Sequence, residues 1–266
     1  MWVDLAGDHG DVRIHCREYG SGETTLLYLH GGWGYSIYPF ERQLDQLVAR
    51  FRVLIPDRTG YGLSGRRHEA FPLDFHRRAA SETLALMDAL EMERAMLWGH
   101  SDGACIAAWM GLDAPERCQA LVLEALHLRR SKPRSREFFE TMATDPTLFG
   151  ERVSQTLSQE HGEGYWQELL RMGGEVWLAI GETAKTSADL FDGRLSELEP
   201  PALLLHGAED PRTEPGELEQ ARAALPSAEL GVIEAARHCP HAERQVWRQA
   251  TALAVDFLLR NAPAGK

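Results

Sequence analysis

The chain predicts an α/β fold with a mostly parallel central sheet, helices on both faces and an inserted helical cap. Three observations carry this. Strand-length apolar runs without alternation recur between amphipathic helical stretches, as expected of strands buried on both faces. The rhythm lapses once, over 129–198, where no strand-like run occurs and charges are frequent. Finally, Gly99-His100-Ser101-Asp102-Gly103 joins one apolar run directly to a helical stretch. Glycines on either side of such a sharp turn avoid side-chain clashes across it.

In chain order, Val12–Tyr19 alternates and predicts an antiparallel edge strand, and Thr25–Leu29 is a continuous buried strand. An amphipathic helix is expected over Phe40–Arg50 and a strand over Arg52–Pro56. Ala79, Thr83, Leu86, Met87 and Leu90 share a helical face within 73–90. Strands follow at 95–98 and Ala120–Ala125, the first of them leading into Ser101. Helical patterns at Arg136–Ala143, Leu148–Glu160 and Gly164–Gly181 fill the lapse. The rhythm resumes with a strand at Ala202–His206, a helix, a strand at Glu229–Ile233 and a last helix at Ala242–Arg260, before a frayed tail over Ala262–Lys266. Repeated β–α units imply a parallel sheet. The core is therefore expected to span 1–128 and 199–266, with 129–198 as the cap.

Bulk properties narrow the function. With 266 residues and 44% hydrophobic content, the chain suits one large core with an insertion. A net charge of −12 argues against nucleic acid or an anionic membrane surface as partners. No apolar run is long enough to span a membrane. Met1-Trp2-Val3-Asp4 lacks the basic start and apolar core of a signal peptide, so a cytoplasmic location is expected. Cys16, Cys105, Cys118 and Cys239 show no paired spacing; Cys105 and Cys118 fall in apolar patterns that suit reduced core thiols. Neither cysteine nor histidine shows metal-ligand spacing, so no metal is expected.

Several landmarks in order make the chain resemble a capped, cofactor-free α/β-hydrolase, over nearly its whole length and least in the cap. They are His30-Gly31-Gly32-Trp33-Gly34 after the first buried strand, Asp57-Arg58-Thr59-Gly60-Tyr61-Gly62-Leu63-Ser64, the elbow at 99–103, Leu205–Asp210, and Ala236-Arg237-His238-Cys239-Pro240. The Ser-Asp-Gly elbow is similar to that of esterases of the valacyclovir-hydrolase type. The resemblance implies a carboxylic ester hydrolase with a Ser-His-Asp triad, no cofactor and a small-molecule substrate, acting as a monomer or homodimer.

The chemistry needs an activated hydroxyl, a base, an orienting acid and two oxyanion donors. Ser101 is the expected nucleophile. His238, beyond the last strand, is the expected base, with His241 three residues on as competitor. Asp210 stands where the family places the acid; Glu124 ends an earlier strand that bears the acid in some relatives. Glu209 is expected to point away, and Asp57 to cap its Gly-rich bend. The resemblance assigns one oxyanion donor to the Gly32 N–H, with Trp33 next, and the other to the Asp102 N–H. The Asp102 side chain has two readings: a carboxylate near the pocket that would hold a cationic amine, or charge compensation at a helix start. Gly60-x-Gly62 lacks the lysine and third glycine of a phosphate loop.

Alternative readings share the triad: a carbon–carbon bond hydrolase, a thioesterase or lactonase, or a perhydrolase. A catalytically silent ligand-binding homologue would show a broken triad, whereas serine at the nucleophile position argues against the Asp-dependent haloalkane dehalogenases and epoxide hydrolases. Trp166, Trp177, Phe138, Phe139, Phe149 and Tyr165 are cap aromatics that would either line an apolar pocket or seat the cap on the core.

Overall fold

The computed structural model describes residues 1–5, 11–183 and 189–263, so the tail expected to fray lies outside the described residues from 264 onward. Strands β1 (Trp2–Leu5), β2 (Val12–Tyr19), β3 (Thr24–Leu29), β4 (Phe51–Pro56), β5 (Ala95–His100), β6 (Cys118–Glu124), β7 (Ala202–Gly207) and β8 (Glu229–Ile233) form one sheet in the order β1-β2-β4-β3-β5-β6-β7-β8. β1 and β2 are antiparallel to their neighbours, while β3 to β8 are mutually parallel.

Residue alternation divides the core. Leu26, Tyr28, Met96, Trp98, Val122, Leu203 and Leu205 face one side, under α1 (Glu41–Leu47) and α8 (Trp247–Asn261). Leu27, Leu29, Leu97, Leu121, Leu123 and Leu204 face the other, under α2 (Phe75–Ala89), α3 (Asp102–Asp113) and α7 (Glu217–Ala224). β5 is buried at every position, which is why it reads as an unbroken apolar run. The parallel strands aim their C-terminal ends at one edge, where ligand sites of such sheets collect.

Between β6 and β7 the chain forms the helical cap, with α4 (Arg136–Thr144), α5 (Glu151–His161) and α6 (Tyr165–Thr183). Phe139, Met142, Leu157, Leu170 and Trp177 of these helices join the core under α3. The way into the cap is pinned by one carboxylate. Glu217 accepts N–H bonds from Leu128 and Arg129 (both 2.9 Å) and from Glu214 (2.8 Å), and it pairs with the buried Lys132 ammonium at 2.6 Å.

Three sequence expectations need correction. β2 is antiparallel but not at the edge, because β1 lies outside it. β1 has only four residues, with Val3 and Leu5 buried and Trp2 and Asp4 exposed, too short a run to stand out. The helix expected over 148–160 is broken: Pro146–Phe149 is a 3-10 turn, and Gly150 at φ 102° starts α5 afresh. The last helix begins at Trp247 rather than 242, after a series of turns over 239–246.

Gly103 marks the tightest approach in the core, where α3 starts against the sheet. A Cβ there would overlap the carbonyl of Leu29, which belongs to β3 and cannot retreat without breaking its ladder. Gly103→Ala is expected to cost about 3 kcal/mol through this overpacking. Urea unfolding monitored by circular dichroism should show a clearly lower midpoint; an unchanged midpoint would contradict the packing.

Candidate active site

Ser101 sits between β5 and α3 at φ 57°, ψ −118°. Its N–H donates to the Glu124 carbonyl of β6 (2.9 Å), and its carbonyl receives Ala104 N–H (2.9 Å). The turn is thus tied to the sheet on one side and to the helix on the other. Ser101 is 8% exposed.

The loops after β7 and β8 bring two partners to it. Ser101 Oγ lies 3.0 Å from His238 Nε2, and His238 Nδ1 lies 2.9 and 3.1 Å from Asp210 Oδ2 and Oδ1. The carboxylate can only accept, so Nδ1 carries the proton and Nε2 is free to accept from the serine hydroxyl. Arg212 N–H also donates to Asp210 Oδ1 (2.8 Å). Burial pushes the Asp210 pKa up, but the charge and hydrogen bond of His238 and the Arg212 N–H outweigh it and hold the carboxyl well below its usual range. Glu209 is exposed, pointing away as expected.

Glu124 and His241, the two competitors, pair with each other instead. His241 Nδ1 and N–H both reach Glu124 Oε1 (2.8 and 2.9 Å), and Trp98 Nε1–H donates to Oε2 (2.8 Å). His241 Nε2 faces the Tyr38 carbonyl (3.2 Å) and Tyr28 hydroxyl (3.1 Å). His241 lies in the turns before α8, fully buried, rather than in a first helical turn. Asp57 accepts Leu63 N–H across its bend (3.1 Å) and also pairs with His15 and Arg17. The N–H groups of Gly60 and Gly62 are taken by Gly65 O and His161 Nδ1, leaving no phosphate cradle there.

The 31–33 loop lies against the elbow: a Cβ on Gly31 would come 3.3 Å from Ser101 Cβ, and one on Gly32 2.7 Å from Asp102 Oδ2. Among the described residues, the Gly32 and Trp33 N–H groups have no backbone acceptor, and Asp102 opens α3, where the N–H has no intrahelical partner. The Asp102 carboxylate is buried at the pocket and bonded to His76 Nε2 (3.1 Å). Burial raises its pKa, but His76 and the Arg58 charge bring it below the usual carboxylate value.

Above Ser101 is a cavity of about 50 Å³ with largely aromatic walls. Of the six cap aromatics, Phe138, Phe139 and Trp177 line it. Phe149 instead packs on Trp33 and Phe138, Trp166 lies in the core, and Tyr165 bonds Gly60 O (3.0 Å) and Arg67 N–H (2.9 Å). Three residues of the cavity wall or its support carried no sequence motif. His127 places Nε2 3.4 Å from Ser101 Oγ, with its ring stacked on His238; burial holds it neutral, far below the usual histidine value. His76 holds Asp102, and the Arg212 guanidinium lies over Phe138. Their one available signal is position. His127 and Arg212 follow β6 and β7 closely, on the edge where parallel strands end.

A family model described as alpha/beta hydrolase fold matches residues 24–180, more than half of the chain. Human serine hydrolase BPHL is 28% identical over 206 residues, covering 75% of this chain and 68% of that protein. The 2-hydroxy-6-oxo-6-phenylhexa-2,4-dienoate hydrolase of Burkholderia cepacia is 27% identical over 93% of this chain and 92% of its own. A solved hydrolase structure from Pseudomonas aeruginosa superposes with a TM-score of 0.73 at 24% identity, covering 97% of this chain and 98% of that one. Among the described residues, no helix is long and apolar enough to cross a membrane.

The Glu124–His241 pair beneath the elbow makes stability depend on pH. Burial alone would raise Glu124, but His241 brings it from 4.5 down to about 2; its contribution is complete above 4.5 and is lost as pH falls toward 2. Burial alone would lower His241, but Glu124 raises it above 6.5; its contribution is complete below 6.5 and is lost as pH climbs through the raised value. Urea midpoints measured against pH should therefore fall on both sides for the wild type and flatten in Glu124→Gln. Parallel profiles would contradict the pairing.

Proposed function

Because the chain belongs to the alpha/beta hydrolase fold family, we propose that it is a serine hydrolase cleaving small carboxylic esters through an acyl-enzyme on Ser101. The observation that carries this is the relay from Asp210 through His238 to Ser101, 2.9 and 3.0 Å long, at the floor of an apolar cavity. In this reading His238 Nε2 takes the hydroxyl proton as Ser101 Oγ attacks the ester carbonyl. The oxyanion is met by the Asp102 N–H, at the positive end of α3, and by the Gly32 or Trp33 N–H. His238 then passes the proton to the departing alcohol oxygen. Water, deprotonated by the same imidazole, releases the acid in a second half-reaction. Asp210 holds the ring tautomer and stays ionised throughout.

A carbon–carbon bond hydrolase uses the same triad, and the Burkholderia cepacia relative is named for a phenyl-bearing oxo-dienoate. A cavity of about 50 Å³ lined by Phe138, Phe139 and Trp177 supports a small acyl group instead. Rates on p-nitrophenyl acetate and on an oxo-dienoate decide between them.

Ser101→Ala is expected to lower p-nitrophenyl acetate turnover by at least about 10³-fold with an unchanged circular dichroism spectrum. Near-normal turnover would end the reading. Asp210→Asn should cost about 10⁴-fold by reversing the His238 tautomer, and Glu124→Gln less than about 10-fold. Steady-state kinetics showing the reverse ranking would move the acid to β6. Dialysis against chelator should leave the rate unchanged while an alkyl fluorophosphonate stops it. Activity restored only by zinc would contradict the mechanism.

A further inference from the structure

We propose that Glu160 and His161, the last two residues of cap helix α5, are positioning residues for the oxyanion hole, so that the hole is assembled only while the cap is seated. The inference rests on the serine hydrolase reading above and deepens it.

The oxyanion loop leaves β3 after Leu29 and does not join another regular element until α1. Within it the backbone bonds are long: Gly34 N–H to Gly31 O at 3.3 Å and Tyr38 N–H to Tyr35 O at 3.2 Å. The peptide joining Gly31 and Gly32 is held from the core, where His30 Nδ1 and Arg58 Nη2 both reach the Gly31 carbonyl at 2.8 Å; beyond it, the short bonds at Tyr35 and Ser36 come from the cap. Glu160 Oε1 accepts Tyr35 N–H at 2.6 Å, and Oε2 accepts Ser36 N–H at 2.8 Å. One carboxylate therefore fixes two successive peptide planes. His161 fixes a third. Gly62 N–H donates to its Nδ1 (2.9 Å), which places the ring proton on Nε2, and Nε2–H donates to the Trp33 carbonyl (3.1 Å). Both ring nitrogens are used, and they tie the 57–64 bend and the oxyanion loop to a single cap side chain. Gly34, at φ 88°, lies flat on this pair: a Cβ there would stand 2.6 to 2.8 Å from His161 and Glu160.

The chemistry of Glu160 separates positioning from adhesion. Its side chain is 2% exposed; among the described residues the one ion-pair partner within 4 Å is the His161 ring at 3.8 Å, which the two bonds above make neutral, and the Arg17 guanidinium acts on it only from further off. Burying a carboxylate without a cation in contact is costly unless N–H donors replace its water. An apolar side chain would attach the cap more cheaply, since Trp33, stacked on Phe138 and bonded to Met142 sulfur, already does so. A carboxylate does what an apolar contact cannot: it aims peptide groups. The loop it aims carries Gly32 and Trp33, whose N–H groups have no backbone acceptor and whose neighbour Gly31 rests on Ser101.

The test uses Glu160→Gln, which keeps the shape but sets an amide N–H₂ against a backbone N–H, with His161→Phe as the second variant should the first fail to fold. Two inhibitors of equal size report the hole. An alkyl trifluoromethyl ketone adds to the serine and forms an oxyanion; the matching methyl ketone binds without doing so. We expect kcat/KM on p-nitrophenyl acetate to fall ten- to a hundredfold, mostly in kcat. The trifluoromethyl ketone inhibition constant should rise by the same factor, and the methyl ketone constant should stay within threefold. Parallel weakening of both ketones, or an unchanged trifluoromethyl ketone constant, overturns the inference and leaves the hydrolase reading standing. A wild-type enzyme that the trifluoromethyl ketone does not inhibit overturns both.

Discussion

Ser101 is held at φ 57°, ψ −118°, a conformation an L-residue adopts at a cost of about 1–3 kcal/mol, and everything at the site is arranged around it. The surroundings over-determine it. Its N–H is bound to β6, its carbonyl caps the first turn of α3, and Gly99 and Gly103 let strand, turn and helix stack with no side chain between them. The consequence is geometric. The hydroxyl stands off the end of the sheet, the start of α3 lies beside it, and the loops after β7 and β8 reach it from the far side with Asp210 and His238.

Buried carboxylates hold the surrounding pieces in place. Glu124 gathers Trp98 Nε1 and both donors of His241 under the elbow. Glu217 gathers the entry to the cap, and Glu160 the loop after β3 at Tyr35 and Ser36. Each acid binds backbone N–H groups of segments with little regular structure, which apolar packing alone leaves free to rotate. Removing one donor would leave a desolvated charge, so these contacts are made or broken as units. Two of these carboxylates couple the cap to the core, Glu217 at its entry and Glu160 at the loop beside Ser101.

Much of this was legible in the residues. Strands buried on both faces announce themselves as unbroken apolar runs, so β3 to β7 stood out; β1, four residues at an edge with two exposed, did not. Ser101, Asp210 and His238 sit in short motifs at loop positions, where local sequence and local structure coincide. The pairing of His241 with Glu124 was hidden because it joins positions 117 residues apart, and either residue alone resembled a competitor for the triad. His127, His76 and Glu160 were hidden for the same reason: each acts across the fold on a partner to which no local spacing points. The break was readable in principle, since Gly150 stands inside the expected helix, but the i+4 apolar spacing of Phe149, Val153 and Leu157 runs across it.

In the proposed reaction Ser101 carries the acyl group during turnover. The most direct measurement is rapid acid quench of the enzyme with excess p-nitrophenyl acetate, followed by digestion and mass spectrometry of the peptide spanning the elbow. An acetyl group is expected on Ser101, formed as fast as the first p-nitrophenol is released. Acetylation confined to another residue, or turnover with no acylated peptide at any quench time, would contradict that reaction.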